Sequence, residues 1–201
     1  KNSRRTPNQG RSRATVDALI EALAQVLERD GWEAATTASI AERAGVSVGT
    51  LYQYFAHREA VLDALVERLV QEQIDVLIAV TTTLTADPPP ASEAVEQVLD
   101  AILAAVRLRP GLLHRVLTET PRSRYLELDA VWKQRCVQVV QAALYQAPRE
   151  ERLDRNLDVV ATILVGLMFG VVRDVVAYRP ELLGTPALRE ELVVLMRRYL
   201  A

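Results

Sequence analysis

Between Thr36 and Arg58 the chain reads TTASIAERAGVSVGTLYQYFAHR, a set of side chains suited to gripping nucleic acid. Tyr52 and Tyr54 each carry an aromatic body and a phenol able to hydrogen-bond a phosphate oxygen, and Arg58 brings a fixed positive charge. Gly49 and Thr50 are small, so the backbone that bears them can approach a groove closely. Glycine in an exposed helical turn costs on the order of 1 kcal/mol against alanine, and a purely structural helix has little reason to accept that. Burial of the tyrosines in a core is the competing reading. Bond-making chemistry finds no comparable cluster: there is no nucleophile–base pair, no glycine-rich phosphate loop and no His–carboxylate group at helical spacing. His57 and His114 have no partners at metal-ligating distance in sequence. No enzyme, metal or cofactor is expected.

Such side chains need rigid elements beneath them. Thr37 is placed to cap a short helix over about 38–44. Ile40 and Ala44 point inward, and Ala41 is small where a second helix must pass. Gly45 stands where a helix ends in the left-handed conformation that glycine adopts most cheaply. Val46 fills the corner and Ser47 caps a second helix over about 48–55, with Leu51 and Phe55 as its buried stripe. Small residue, turn glycine, corner valine, capping serine and second amphipathic helix together spell a helix-turn-helix, whose second helix enters the major groove.

Ile40-Ala41, Ala44-Gly45-Val46-Ser47 and Gly49-Thr50-Leu51-Tyr52-Gln53-Tyr54-Phe55, followed by Arg58-Glu59, resemble the DNA-binding domain of the tetracycline-repressor (TetR) family of bacterial regulators over about residues 14–65. Arg58 stands where that family typically has Lys, which keeps the charge but changes its geometry. The resemblance implies roles position by position. Thr37 and Ser39 are backbone contacts, and Ser47, which opens the reading helix, is a DNA-binding residue with them. Val48, Gly49, Thr50 and Gln53 lie at or near bases, and Tyr52, Tyr54, His57 and Arg58 at phosphates. It also implies double-stranded operator DNA as partner, a homodimer, and a C-terminal domain that binds a small-molecule effector. A regulator without such an effector, constitutive or controlled by a protein partner, is the alternative.

The rest of the chain is consistent with that division. Formal net charge is −2, from 24 Lys+Arg and 26 Asp+Glu, yet residues 1–58 hold 8 basic and 6 acidic side chains and the remainder 16 and 20. The front is basic and the back acidic. Residues 1–12, polar and basic with Pro7 and Gly10, read as a flexible arm. Residues 13–60 read as the helix-turn-helix domain, and 61–201 as a helical domain for ligand and dimerisation. Helical periodicity is nearly continuous, with a helix over Thr15–Arg29 and further ones at about 58–84, 91–107, 110–118, 123–147, 156–178 and 187–200. Pro88-Pro89-Pro90, Pro110-Gly111, Pro121, Pro148 and Pro180 break them. The expected class is all-α. The helix over 58–84, leading out of the helix-turn-helix, is the candidate coupling element.

The helix over 156–178 is apolar nearly all round, so it needs cover on every side, some of it from a second subunit. Leu164, Gly166 and Gly170 in it, with Leu192, Met196 and Tyr199 in the last helix, are the expected interface; packing within the same chain is the competing reading. A largely apolar effector would lie among Leu103, His114, Leu117, Trp132, Cys136, Met168 and Phe169, each of which also reads as ordinary core. Arg107, Arg109, Arg115, Arg122 and Arg124 crowd around the 110–118 helix, as a solvated face or as a receiver for an anionic ligand. The longest uncharged run, Val159–Val172, has fourteen residues, short of the roughly 20 a bilayer span takes, so no membrane partner is expected. No apolar export segment follows the basic N-terminus, and a single cysteine, Cys136, excludes an internal disulfide. A cytoplasmic location is expected.

Overall fold

The computed structural model describes residues 7–86, 89–120, 122–146 and 155–201. Among them every regular element is a helix: α1 (Pro7–Asp30), α2 (Thr37–Arg43), α3 (Val48–Tyr54), α4 (Arg58–Ala86), α5 (Ala91–Leu108), α6 (Pro110–Glu119), α7 (Arg122–Gln146), α8 (Leu157–Tyr178) and α9 (Pro186–Leu200). A 3-10 turn, Pro180–Gly184, joins α8 to α9. The all-α expectation holds. The largest departure is at the front, where α1 starts at Pro7 rather than Thr15. Residues 7–12 of the expected arm are therefore helix, while residues 1–6 lie outside the described residues. Proline at a first helical position costs nothing, since its missing N–H would have no intrahelical partner there. Gly10 weakens the turn without ending it.

Two compact units divide the chain. The first extends to Leu69 and also takes in Arg115–Arg124. Its core is Leu19, Leu23 and Leu27 of α1, Ile40 and Ala41 of α2, Leu51 of α3 and Val61, Leu62 and Leu65 of α4, all buried. Each such large aliphatic side chain contributes about 1.5–3 kcal/mol by leaving water. Arg68 pairs with Glu21 at 2.9 Å and Arg43 with the Gln25 amide oxygen at 2.8 Å, tying α4 and α2 to α1.

The second unit comprises Val70–His114 and Tyr125–Ala201. Helix α5 packs along α9, where Arg189 grips Asp100 through two nitrogens at 2.5 and 2.7 Å and Arg197 meets Glu96 at 2.5 Å. The Asp100 carboxylate, by hydrogen bond and charge, holds the Arg189 guanidinium above its ordinary pKa. Arg107 closes the other end of α5 by donating to the Leu183 carbonyl at 2.7 Å. Helix α8 begins at an Asn156 cap that accepts from the N–H groups of Asp158 and Val159. It is long and apolar enough to cross a membrane by length and composition, yet ten of its residues, among them Leu164, Val165, Met168 and Phe169, are buried within the protein. Helices α4, α6 and α7 each run through the division between the units.

Candidate functional site

The helix-turn-helix is built by local chemistry that can be followed bond by bond. Thr36, not Thr37, caps α2: its backbone is extended (φ −84°, ψ 159°), and its hydroxyl accepts from the Ser39 N–H at 3.1 Å. Ser39 Oγ in turn accepts from the Thr36 N–H at 3.0 Å and donates to the Ala34 carbonyl at 2.7 Å. This reciprocal capping box satisfies orphan donors at the helix start. It places Thr37 at the first helical position, one residue later than the sequence suggests, and commits the Ser39 hydroxyl to the fold.

Helix α2 ends in two backward hydrogen bonds, Gly45 N–H to the Glu42 carbonyl at 3.1 Å and Val46 N–H to the Ala41 carbonyl at 3.0 Å, with Gly45 at φ +70°. A side chain at Gly45 would meet nothing within 4 Å. Glycine is needed there for its backbone angle and not for space.

Helix α3 is seven residues long and buries one of them, Leu51. Ser47 caps it, accepting from the Thr50 N–H at 3.0 Å, and the two hydroxyls of Ser47 and Thr50 lie 2.8 Å apart. Phe55 is half-buried and ends the helix with extended backbone. The remaining surface faces outward. Val48, Gly49 and Gln53 are exposed and Thr50 half-buried, while Tyr52 is 55% and Tyr54 36% exposed. The tyrosines are therefore surface groups.

His57 and Arg58, expected at phosphates, do different things. The Ala60 N–H points at His57 Nδ1 at 3.1 Å, at the start of α4, and the same nitrogen lies 3.3 Å from Glu59 Oε2. Arg58 is turned in. Its guanidinium stacks over the Trp32 ring at 4.3 Å and donates to the carbonyls of Trp32 (3.3 Å) and Ala35 (3.4 Å). It joins the first turn of α4 to the segment between α1 and α2. Beside it, the Glu59 carboxyl is held below its ordinary pKa, first by its own backbone N–H and then by Arg58.

Four residues outside the sequence motif complete this unit. Trp32 donates its backbone N–H to Glu119 Oε2 at 3.1 Å, and Arg115 pairs with Glu119 one turn away on α6. Gly31 sits at φ +83°, and a Cβ there would fall 2.8 Å from Glu119 Oε2. The Asp30-Gly31 pair marks the end of α1 in the sequence; nothing there points to Glu119, 87 residues beyond Trp32.

Of the expected effector residues, Leu103, Cys136, Met168 and Phe169 are buried in the second unit. His114 is half-buried there, with Nδ1 at 2.9 Å from the Val176 carbonyl; a carbonyl only accepts, so that nitrogen carries a proton. The Lys133 ammonium lies 5.7 Å over the Phe169 ring. Leu117 is half-buried and is assigned to the first unit. The side chains of Trp132, Arg122 and Arg124 lie outside the described residues. Arg107 and Arg115 are engaged within the protein as described.

The expected interface residues divide. Leu164, Leu192 and Met196 are core, because the faces of α8 and α9 that carry them pack into their own unit. Tyr199 is half-buried beneath the Arg155 guanidinium, 4.3 Å from its ring. Gly166 is exposed and Gly170 half-buried, both with open space where a Cβ would be. The face they share shows Val159, Ile163, Leu167 and Val171 to solvent, and on α9 Val194 and Leu195 are exposed.

Comparison with known proteins agrees with this anatomy. Residues 19–65 match the model of bacterial regulatory proteins of the tetR family, and residues 90–200 that of the tetracyclin repressor-like C-terminal domain. The chain belongs to the TetR family of DNA-binding transcriptional regulators, a family of regulators and not of enzymes. The nucleoid occlusion factor SlmA of Edwardsiella ictaluri is 28% identical over 177 residues, covering 82% of this chain and 86% of that protein. The fatty acid degradation regulator FadR of Bacillus halodurans shares the fold at TM-score 0.68 and 18% identity, over 96% of each chain. The multidrug binding protein EbrR, in complex with imidazole, does so at TM-score 0.64 and 20% identity, over 92% of this chain and 93% of its own.

Proposed function

We propose that the protein is a ligand-responsive dimeric repressor that reads a palindromic operator with α3 and is released by a small molecule held in the second unit. The observation that carries the reading is the outward face of α3: Val48, Gly49, Gln53 and Tyr52 are exposed while Leu51 alone anchors the helix. Two such helices must stand about 34–36 Å apart to enter successive major grooves. The exposed aliphatic row of α8 supports a second copy as the element that sets this spacing. An effector shifts the spacing only through its different affinity for the two states.

Selection from a randomised duplex pool tests the reading. Two-fold symmetric sites are expected, and Gln53→Ala or Thr50→Ala is expected to change the preferred bases without changing the melting temperature. Asymmetric sites, or unchanged preference, would remove the dimer or those residues from the reading.

A second reading is a DNA-binding regulator without a small-molecule effector, constitutive or controlled by a protein partner; the relatives named nucleoid occlusion factors support DNA binding under either reading. Operator affinity that no bound compound alters would favour the second.

A further inference from the structure

Gln73 lies on the inward side of α4, between Val70 and Ile74, and is only 8% exposed. Every other buried side chain described in the second unit is apolar or is Cys136. The other buried polar side chain, Thr120, belongs to the first unit and donates to the Val116 carbonyl at 2.6 Å. Among the described residues, no hydrogen bond reaches the Gln73 amide. Two residues earlier the exposed Gln71 donates to Asp75 at 2.8 Å, so an amide on this helix is readily satisfied at the surface.

A primary amide offers two donors and a carbonyl acceptor, and burying them unmet is a standing penalty that native proteins rarely carry without use. A hydrophobic residue on this face would remove the penalty. One amide in an otherwise apolar interior has the make-up of a small-molecule site, where few polar groups fix the orientation of a mostly apolar ligand.

We propose that Gln73 is the polar anchor of the effector site and that the effector is largely apolar and uncharged, with a carbonyl, amide or hydroxyl that pairs with the Gln73 amide. This rests on the effector reading above and narrows it to a chemical class. Charge decides the class. Among the described residues no Lys, Arg, Asp or Glu is buried, and the part-buried Lys133 ammonium is already engaged over the Phe169 ring, so an ionic head group would find no buried counter-charge, at a cost one amide does not offset. A neutral group that donates or accepts loses little water and meets the amide on equal terms. A ligand lacking it would leave the amide unmet, which gives the site its discrimination.

The test uses the full chain, the variant Gln73→Leu, and four probes of equal chain length below their micellar concentrations: decanamide, 1-decanol, decanoate and decyltrimethylammonium. Without probe, Gln73→Leu is expected to melt about 3 °C or more above the wild type, because the unmet amide is gone. Decanamide and 1-decanol are expected to raise the wild-type melting temperature, and to bind Gln73→Leu about tenfold more weakly. Gln73→Met, closer in length, repeats the measurement should leucine pack poorly. A lower melting temperature in both probe-free variants would mean that the amide is already satisfied, and would overturn the proposal. Preference for decanoate or the ammonium probe, or equal binding of decanamide by variant and wild type, would overturn the assignment of Gln73 and leave the effector reading standing. If none of the four shifts the melting temperature, both fall together.

Discussion

Helices α3 and α8 both present a face that the rest of the chain leaves uncovered, and they do so in opposite chemistry. Helix α3 has seven residues, one buried anchor and an outward surface of phenol, amide and hydroxyl. Helix α8 has 22 residues, ten of them buried, and an outward row of Val159, Ile163, Leu167 and Val171. The first is held by caps at its ends, the second by apolar contact along its length. An uncovered polar face that can give and take hydrogen bonds suits a wet, charged partner. An uncovered aliphatic face suits a surface like itself.

The sharpest way to break this contrast is on α8, where neighbouring residues have opposite surroundings. Leu164→Ala is expected to cost about 2–5 kcal/mol of stability, because it opens a cavity in the core. Ile163→Asp, at a position 40% exposed, is expected to leave the fold intact but give a monomer by sedimentation at about 10 μM, with weaker operator binding. Unfolding by both variants would erase the distinction between the two faces.

Next in size is Gly31→Ala, which combines left-handed backbone strain of about 1–2 kcal/mol with a clash against Glu119. Chemical denaturation is expected to show a larger loss than at Gly45→Ala, where the strain is the same and the space is open. Thr36→Ala should then cost about 1 kcal/mol as a lost cap, against less than about 0.5 kcal/mol for Thr37→Ala.

The smallest effect separates two candidate phosphate contacts. Tyr54→Phe is expected to weaken binding to all sequences with the salt slope unchanged, because a phenol carries no charge, and Arg58→Ala to lower stability; only a lost ionic contact reduces the slope, by about 0.9. A slope reduced by Arg58→Ala would return that side chain to the DNA surface.

What the sequence discloses follows from range. The turn at Gly45, the Ser47 cap and the Leu51 anchor are decided by residues within one or two helical turns, and all three stand where the pattern put them. Thr36 and Thr37 are equally good caps by type, and only the Ser39 side chain, reaching back, decides between them. In the second unit the limit is different. Helix α8 is apolar on too many sides for periodicity to say which side meets its own chain, so Leu164 reads as interface and proves to be core. Arg58 shows a third limit, because its charge says nothing of direction; the ring and the carbonyls that turn it inward lie 23 and more residues earlier. Glu119 is hidden most completely, since no local pattern marks a carboxylate whose partner is a backbone N–H in another segment.

That last contact makes the reader a discontinuous object. The carboxylate that closes α1 and holds the Trp32 amide arrives on α6, after the chain has already left the unit through α4. On the proposed reading, a reader cut out at Leu69 and transplanted onto another scaffold would carry all of α3 and none of this clasp. Exchange of operator specificity between relatives is then expected to need two segments of chain, and the short second one contains no residue of α3.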